Sequence, residues 1–233
     1  MNNEHLTPVF FSYGKIALTL VMMDIVFDLG NVLFEWNPQR LVQSLFTNEV
    51  EQEQALQHII CHHDWQMLDK GTLALEEAIS RANNRCSLGA DKITRVFEET
   101  AWNLFPIKEM IDVPKDLNQK GYRLYVLSNL QRHTYEYLAA AYDIWHYFAG
   151  IVISSHVNAI KPEPEIYEYL IDTYDLTPGN TVFLDDIKVN IETAKSLGLN
   201  TIFVENPSQC HKDLYQMLGV SVHPDPGIFS GVA

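Results

Sequence analysis

IVFDLGNVLFEW, residues 25–36, joins an unbroken apolar run to a single aspartate, and the use made of that aspartate decides the fold. A carboxylate at the end of a buried strand is costly unless a cation or hydrogen bonds use its charge. Asp28 therefore needs partners from elsewhere in the chain, and Gly30, two residues on, offers no side chain to serve as one.

The second half of the chain supplies the matching strands. YRLYVLSN (122–129), GIVISS (150–155), TVFLDD (181–186) and NTIFVE (200–205) are short runs rich in Val, Ile, Leu and aromatics. Helical patterns separate them. One runs from His133 to Tyr142, and a second opens at Pro162 and carries Ile166, Tyr169 and Leu170. A third, NIETAKSLG, closes at Gly198, and a last lies around Leu214 and Leu218. Buried runs alternating with amphipathic helices predict right-handed βαβ units and a Rossmann-like parallel sheet covered on both faces.

Between Leu33 and residue 122 no strand is evident. LVQSLF, VEQEQALQHIICH, LALEEAISRA and DKITRVFEETAWNLF have helical period, and a further helix near Ile107–Leu117, interrupted by Pro114, returns the chain to the sheet. The expected organisation is an α/β core of residues 22–35 and 105–233, with a helical cap of residues 36–104 inserted after the first strand. Residues 1–21 are expected to be a partly disordered extension ahead of the first strand.

Composition narrows the class. A net charge of −14 disfavours nucleic acid and anionic membranes as partners, since both select a basic face. Cys61, Cys86 and Cys210 are sparse and unpaired in spacing, as in reduced, cytoplasmic proteins. The longest apolar stretch, IALTLVMMDIVF, is interrupted by Asp24 and falls short of a membrane span.

In an open parallel sheet, ligands gather at the carboxyl ends of the strands. Those ends carry Asp28, Ser128-Asn129, Ser154-Ser155 and Asp185-Asp186, with Lys161 at the start of the following helix. Any one of these is an ordinary turn or capping residue. Three acids meeting at one edge repel one another and call for a compensating cation. Oxygen ligands from Asp28, Asp185 and Asp186 suit Mg²⁺, and Lys161 would offset the remaining charge. Ser128 and nearby N–H groups would hold phosphate oxygens while Asp28 attacks phosphorus.

These residues resemble the haloacid dehalogenase superfamily of hydrolases. Its four motifs occur here in order: Asp28 in FDLGNV, Ser128 in VLSN, Lys161 in KPEPEIY and Asp185-Asp186 in FLDDIKVN. FDLGNVLFEWNP, VLSNLQRH and FLDDIKVNIETAKSLG are most similar to the subgroup containing bacterial α-D-glucose-1-phosphate phosphatase. The resemblance implies a HAD-like core with a mobile cap, catalytic roles for Asp28, Ser128 and Lys161, and a metal site completed by the Gly30 carbonyl. Gly30 itself departs from the superfamily, where most phosphatases carry a second Asp that protonates the leaving oxygen. Losing a positioned acid costs ~10²–10⁴-fold. Glu35, His62, His63 and His156 are the candidate substitutes, His156 foremost because imidazole titrates near neutral pH.

Asn129 and Arg132 are further candidates for binding substrate, Arg132 against a solvated helix-start role. Trp65, Leu68 and Asp69 are candidates for facing it from the cap. His58 and His62 stand one helical turn apart, but without a third ligand they are expected to be cap surface and not a zinc site. Trp36 is expected to pack at the junction of cap and core, and Asn190 to orient the acidic pair. The expected function is a Mg²⁺-dependent phosphatase of a small phosphorylated metabolite, such as a sugar phosphate, acting through an aspartyl-phosphate on Asp28. The alternatives are a metal-free 2-haloacid dehalogenase and a non-catalytic phosphometabolite-binding protein. Oligomeric state has no signal in the sequence.

Overall fold

The computed structural model describes residues 22–221, so the expectation for residues 1–21 lies outside the described residues. Five strands form one parallel sheet: β1 (Asp24–Phe27), the later strands Leu124–Ser128, Gly150–Ile153, Thr181–Asp185 and Asn200–Phe203. The first strand lies in the middle, flanked by Leu124–Ser128 on one side and Thr181–Asp185 on the other. Gly150–Ile153 and Asn200–Phe203 form the two edges. Chain order reverses at β1, which makes the end of that strand the topological switch point.

The alternation of side chains across the sheet builds two cores from adjacent residues. Ile25, Phe27, Leu124, Val126, Val182 and Leu184 enter one cluster, whereas Val26, Tyr125, Leu127 and Phe183 enter another on the opposite face. Because both faces are covered, the strands are continuous apolar runs and not alternating ones. Asp24, buried at the start of β1, is held by a bidentate pair with Arg123 at 2.7 and 2.6 Å.

A two-residue strand, β2 (Phe34–Glu35), pairs antiparallel with β3 (Phe105–Pro106), a ladder that the sequence reading did not anticipate. It ties together the two ends of the helical segment. In chain order the five strands of the sheet are therefore β1 and β4 to β7, with β2 and β3 outside it.

Helices α1 (Pro38–Leu45), α2 (Glu49–Ala55), α3 (His63–Lys70), α4 (Leu75–Arg85) and α5 (Ala90–Thr100) lie between β2 and β3. They enclose a separate apolar cluster around Leu41, Ile59, Leu68, Ala82, Ile93 and Phe97. The predicted helix at 50–62 is divided: α2 runs into a π-helical turn at Leu56–Ile60. Helix α3 lies in a stretch with no predicted element. Its start is capped by His62, whose Nδ1 accepts from Asp64 N, and its end is closed by Gly71 in the left-handed region. Trp36 packs against both this cluster and the sheet core, and its ring stacks on Trp65 at 6.0 Å.

The rest of the core contains α6 (Val113–Gln119), α7 (Arg132–Ala141), α8 (Ser154–Val157), α9 (Pro164–Tyr174), α10 (Lys188–Ser196) and α11 (Pro207–Leu218). Helix α9 starts at Pro164, not at Pro162, and buries Ile166, Tyr167 and Leu170, while Tyr169 is exposed. Ser154 and Ser155 belong to α8, not to the strand before it. No helix among the described residues is long and apolar enough to cross a membrane.

Gly71 sits where the helical segment meets the sheet domain at Ser155. Its φ is +78°, and a Cβ there would lie 2.4 Å from the Ser155 carbonyl oxygen. Gly71→Ala is expected to destabilise the fold by about 2 kcal/mol, from left-handed strain plus displacement of backbone. A shift in the urea midpoint without a change in m would show it.

Candidate active site

Asp28 follows β1 directly, and its backbone N–H donates to Leu184 O at 2.9 Å, so strand pairing continues up to the aspartate. Its Oδ1 accepts from Leu29 N at 2.7 Å and lies 2.9 Å from Lys161 Nζ. The same ammonium donates to Asp185 Oδ2 at 2.6 Å. Asp28, Lys161 and Asp185 are all nearly inaccessible to solvent.

Burial pushes the Asp28 carboxyl up to about 7; Lys161 opposes that shift, while Asp185 and Asp186 add to it. Burial alone would lower Lys161, but Asp28 and Asp185 hold it above the ordinary lysine range. Burial also raises Asp186, an effect that Asn31 opposes and Asp185 reinforces.

The turn after Asp28 is set by its residues. Asn31 adopts φ +53°, a left-handed conformation that asparagine tolerates better than most residues. Its side chain accepts from Trp36 N and donates to Asp186 Oδ2, both at 2.9 Å. The loop thus fixes Asp186 as well as itself. Phe34 N donates to Leu29 O at 2.8 Å and Asn31 N donates to Phe34 O, bonds that bracket Gly30.

Asn129, beyond Ser128 at the end of β4, holds Lys161 by its backbone. Its Nδ2 donates to Lys161 O at 2.9 Å and its Oδ1 accepts from Lys161 N at 2.8 Å. Asn190 donates to both oxygens of Asp185, at 3.0 and 3.1 Å, in line with its expected orienting role. Ile187 N completes the set on Asp185 Oδ1 at 2.7 Å.

These groups open on a cavity of about 760 Å³ between the sheet edge and α3. Asp28, Gly30, Asn129, Lys161, Asp186 and Asn190 line its floor, and His63, Gln66, Met67, Asp69, Lys70 and Thr72 its other side. Ser128 is buried at the strand end, and it is Asn129 that reaches the cavity wall there. The two sides are joined by Lys70, which lies 2.7 Å from both Glu163 carboxylate oxygens. The Ser154 hydroxyl also donates to the Asp69 carbonyl.

Several expected participants stand elsewhere. Arg132 is exposed and its guanidinium donates to Ser155 O at 3.2 Å, because α7 turns it outward from the strand edge. His156, on α8, is exposed and lies edge-on to Tyr135 with ring centroids 5.4 Å apart. Glu35 pairs with Arg40 at 2.7 Å on the outer side of β2. His62 caps α3, and only His63 of that pair borders the cavity. Asp69 was legible only as a residue facing the substrate; its place beside Gln131 and Gly30 was not visible in the sequence.

One oxygen each from Asp28, Asp185 and Asp186 lie within 4.8 Å of one another, in a spacing that could hold a metal ion. The residues fit a hard divalent cation: the donors are carboxylate oxygens, and the Lys161 ammonium pairs with two of the three acids. Asp186 lines the cavity, whereas both Asp185 oxygens are engaged by Lys161, Asn190 and Ile187 N.

A central-strand carboxylate, a buried lysine and an acidic pair thus meet at a Rossmann-like switch point. The chain belongs to the haloacid dehalogenase-like hydrolases, whose family model matches residues 24–198. It is 25% identical over 194 residues to sesquiterpene phosphatase astK of Aspergillus oryzae, covering 83% of this chain and 95% of that protein. It is 24% identical to D-ribitol-5-phosphate phosphatase of Bacteroides thetaiotaomicron, covering 85% of this chain and 99% of the relative. A HAD-family enzyme of B. thetaiotaomicron, solved in complex with magnesium and inorganic phosphate, superposes with a TM-score of 0.66. That match has 20% identity and covers 81% of this chain and 98% of the other, so it speaks for the fold.

Proposed function

We propose that this hydrolase is a Mg²⁺-dependent phosphatase of a small phosphorylated metabolite, with Asp28 as nucleophile. The observation that carries the reading is Asp28 itself: a buried carboxylate oriented by Leu29 N and Lys161 at the floor of a large cavity. Asp28, Asp186 and the Gly30 carbonyl would hold the metal, with Asp185 as the third acid of the set. When bound, Mg²⁺ supplies neutralisation of the phosphate and the carboxylates. Asp185 and Asn129 position the Lys161 ammonium, which offsets the negative charge of the entering phosphate. Residues 36–104 serve as the cap, excluding water and reading the leaving group.

The wall supports a polar leaving group. Gln66, Thr72, His63 and Glu163 offer donors and acceptors to hydroxyls around the main cavity. A sugar or sugar-alcohol phosphate matches that wall better than a prenyl chain. The acidic cluster argues against a metal-free dehalogenase, since halide displacement needs no second and third carboxylate.

The test is hydrolysis of a panel of sugar phosphates, nucleotides and prenyl monophosphates, assayed with Mg²⁺ and after chelation by EDTA. Sugar phosphates are expected to turn over fastest, and EDTA to abolish turnover until Mg²⁺ is restored. Release of halide from 2-haloacids without metal, or ligand binding with no turnover across the panel, would overturn the reading.

A further inference from the structure

Gly30 leaves no carboxyl at the place where the leaving oxygen must be protonated, and among the described residues no side chain refills that place locally. A Cβ built on Gly30 would meet no atom within 4 Å, so the space beyond it is open. That space is bounded by two adjoining cavities. One is the 760 Å³ cavity above Asp28; the second, of about 90 Å³, adjoins it and is lined by Phe34, Trp65, Leu104, Leu130 and Leu138. Gly30, Trp36, Asp69 and Asn129 line both. Of these four, Asp69 alone carries an ionisable side chain.

Asp69 comes from α3, across the cavity from Asp28, and its placement is fixed at the backbone. The Ser154 hydroxyl donates to its carbonyl, and Gly71 brings α3 against Ser155. Its side chain lies beside Gln131, a residue 2% exposed whose amide oxygen and nitrogen complete no hydrogen bond by distance and angle. A glutamine amide offers both an acceptor and donors, so it can complement either the acid or the carboxylate. Burial raises the Asp69 carboxyl to about 8, with Gln131 pulling the other way. The other charged or titratable groups of the cavity wall are Asp28, Asp186, Glu163, Lys161, Lys70 and His63. Asp69 is thus a raised carboxyl on the α3 side that lines both cavities together with Gly30.

We propose that Asp69 is the proton donor to the leaving oxygen, acting from the cap in place of the carboxyl that Gly30 lacks. The proposal rests on the phosphatase reading. In the first step an Asp28 oxygen bonds to phosphorus and the bond from phosphorus to the leaving oxygen breaks. The Asp69 proton passes to that oxygen and the alcohol departs. In the second step water attacks phosphorus, its proton returns to Asp69, and the bond to Asp28 breaks. The net change is a phosphate monoester plus water giving alcohol plus phosphate, with Asp28 and Asp69 both regenerated. Linking the acid to α3 also means that it is in place only when α3 is docked on the sheet domain.

The test compares a poor and a good leaving group in the Asp69→Asn variant, using D-ribitol 5-phosphate and p-nitrophenyl phosphate. Ribitol leaves as an alkoxide unless protonated, whereas p-nitrophenolate is a stable anion and needs little help. Asp69→Asn is expected to lower kcat on the alkyl ester by ~10²–10⁴-fold and to lower it far less on the aryl ester. Adding Gly30→Asp to that variant is expected to recover alkyl turnover, since the space at Gly30 accepts the side chain. An equal loss on both esters would mark Asp69 as structural, and no loss on the alkyl ester would exclude it; either overturns the proposal. Asp28→Asn, assayed on the aryl ester alongside, separates the two readings: wild-type turnover there would remove the phosphatase reading itself.

Discussion

Asp28→Asn is expected to lower phosphate-ester turnover by roughly 10⁴-fold or more, the scale seen when a covalent nucleophile is removed. The amide is close to isosteric but cannot form an acyl phosphate. The Leu29 N–H and Lys161 both bond Oδ1, which fixes the plane of the carboxylate and leaves Oδ2 for attack on phosphorus. The variant should still fold. Lys161 retains Asp185 at 2.6 Å, so no buried cation is stranded by the change. Initial rates over the sugar-phosphate panel, with circular dichroism to confirm the fold, are the measurement. Activity of Asp28→Asn at the wild-type level would show that the chemistry runs through another residue.

The parts of this molecule that the sequence revealed are those fixed by local physics. Leu124–Ser128 and Thr181–Asp185 were legible because strands buried on both faces must be apolar throughout. Asp28 and the Asp185-Asp186 pair were legible because each stands at the end of a strand, and Lys161 because it lies just ahead of a helix, all at the carboxyl end of the sheet, where topology brings them together. The two-residue pairing of Phe34 with Pro106 leaves no periodic signal, and a proline in one partner argues against a strand. Arg132 and His156 also follow strand ends within a few residues, as Asn129 does. Which way each side chain points depends on the first turn of its helix, and sequence spacing does not encode that. The role proposed for Asp69 was hidden more deeply. Its environment is made by Gln131 and Gly30, residues far away in sequence, and by the docking of α3 on Ser154 and Ser155. A closing signal was present nonetheless: HDWQMLDKG ends in a glycine, as a short helix with a left-handed terminus does.

Lys161→Met is expected to cost both activity and fold, and the size of the second effect follows from burial. The ammonium lies 2.9 Å from Asp28 and 2.6 Å from Asp185 with almost no solvent access. Removing one partner of a buried ion pair leaves an uncompensated charge, which costs about 3–5 kcal/mol. Here two carboxylates lose the same cation, and Asn190 and Ile187 N remain to stabilise only Asp185. Methionine preserves the apolar stem and much of the volume, so the loss reads the charge and not a cavity. Turnover should fall with it, since the phosphate would approach Asp28 without the positive charge that offsets it. Lys161→Arg is expected to fail as well: the longer, planar fork of a guanidinium cannot set one nitrogen between Asp28 and Asp185 as the ammonium does. Equilibrium denaturation and steady-state rates on both variants are the check. Wild-type stability in Lys161→Met would mean that the lysine charge is not what compensates the buried Asp28 and Asp185 carboxylates.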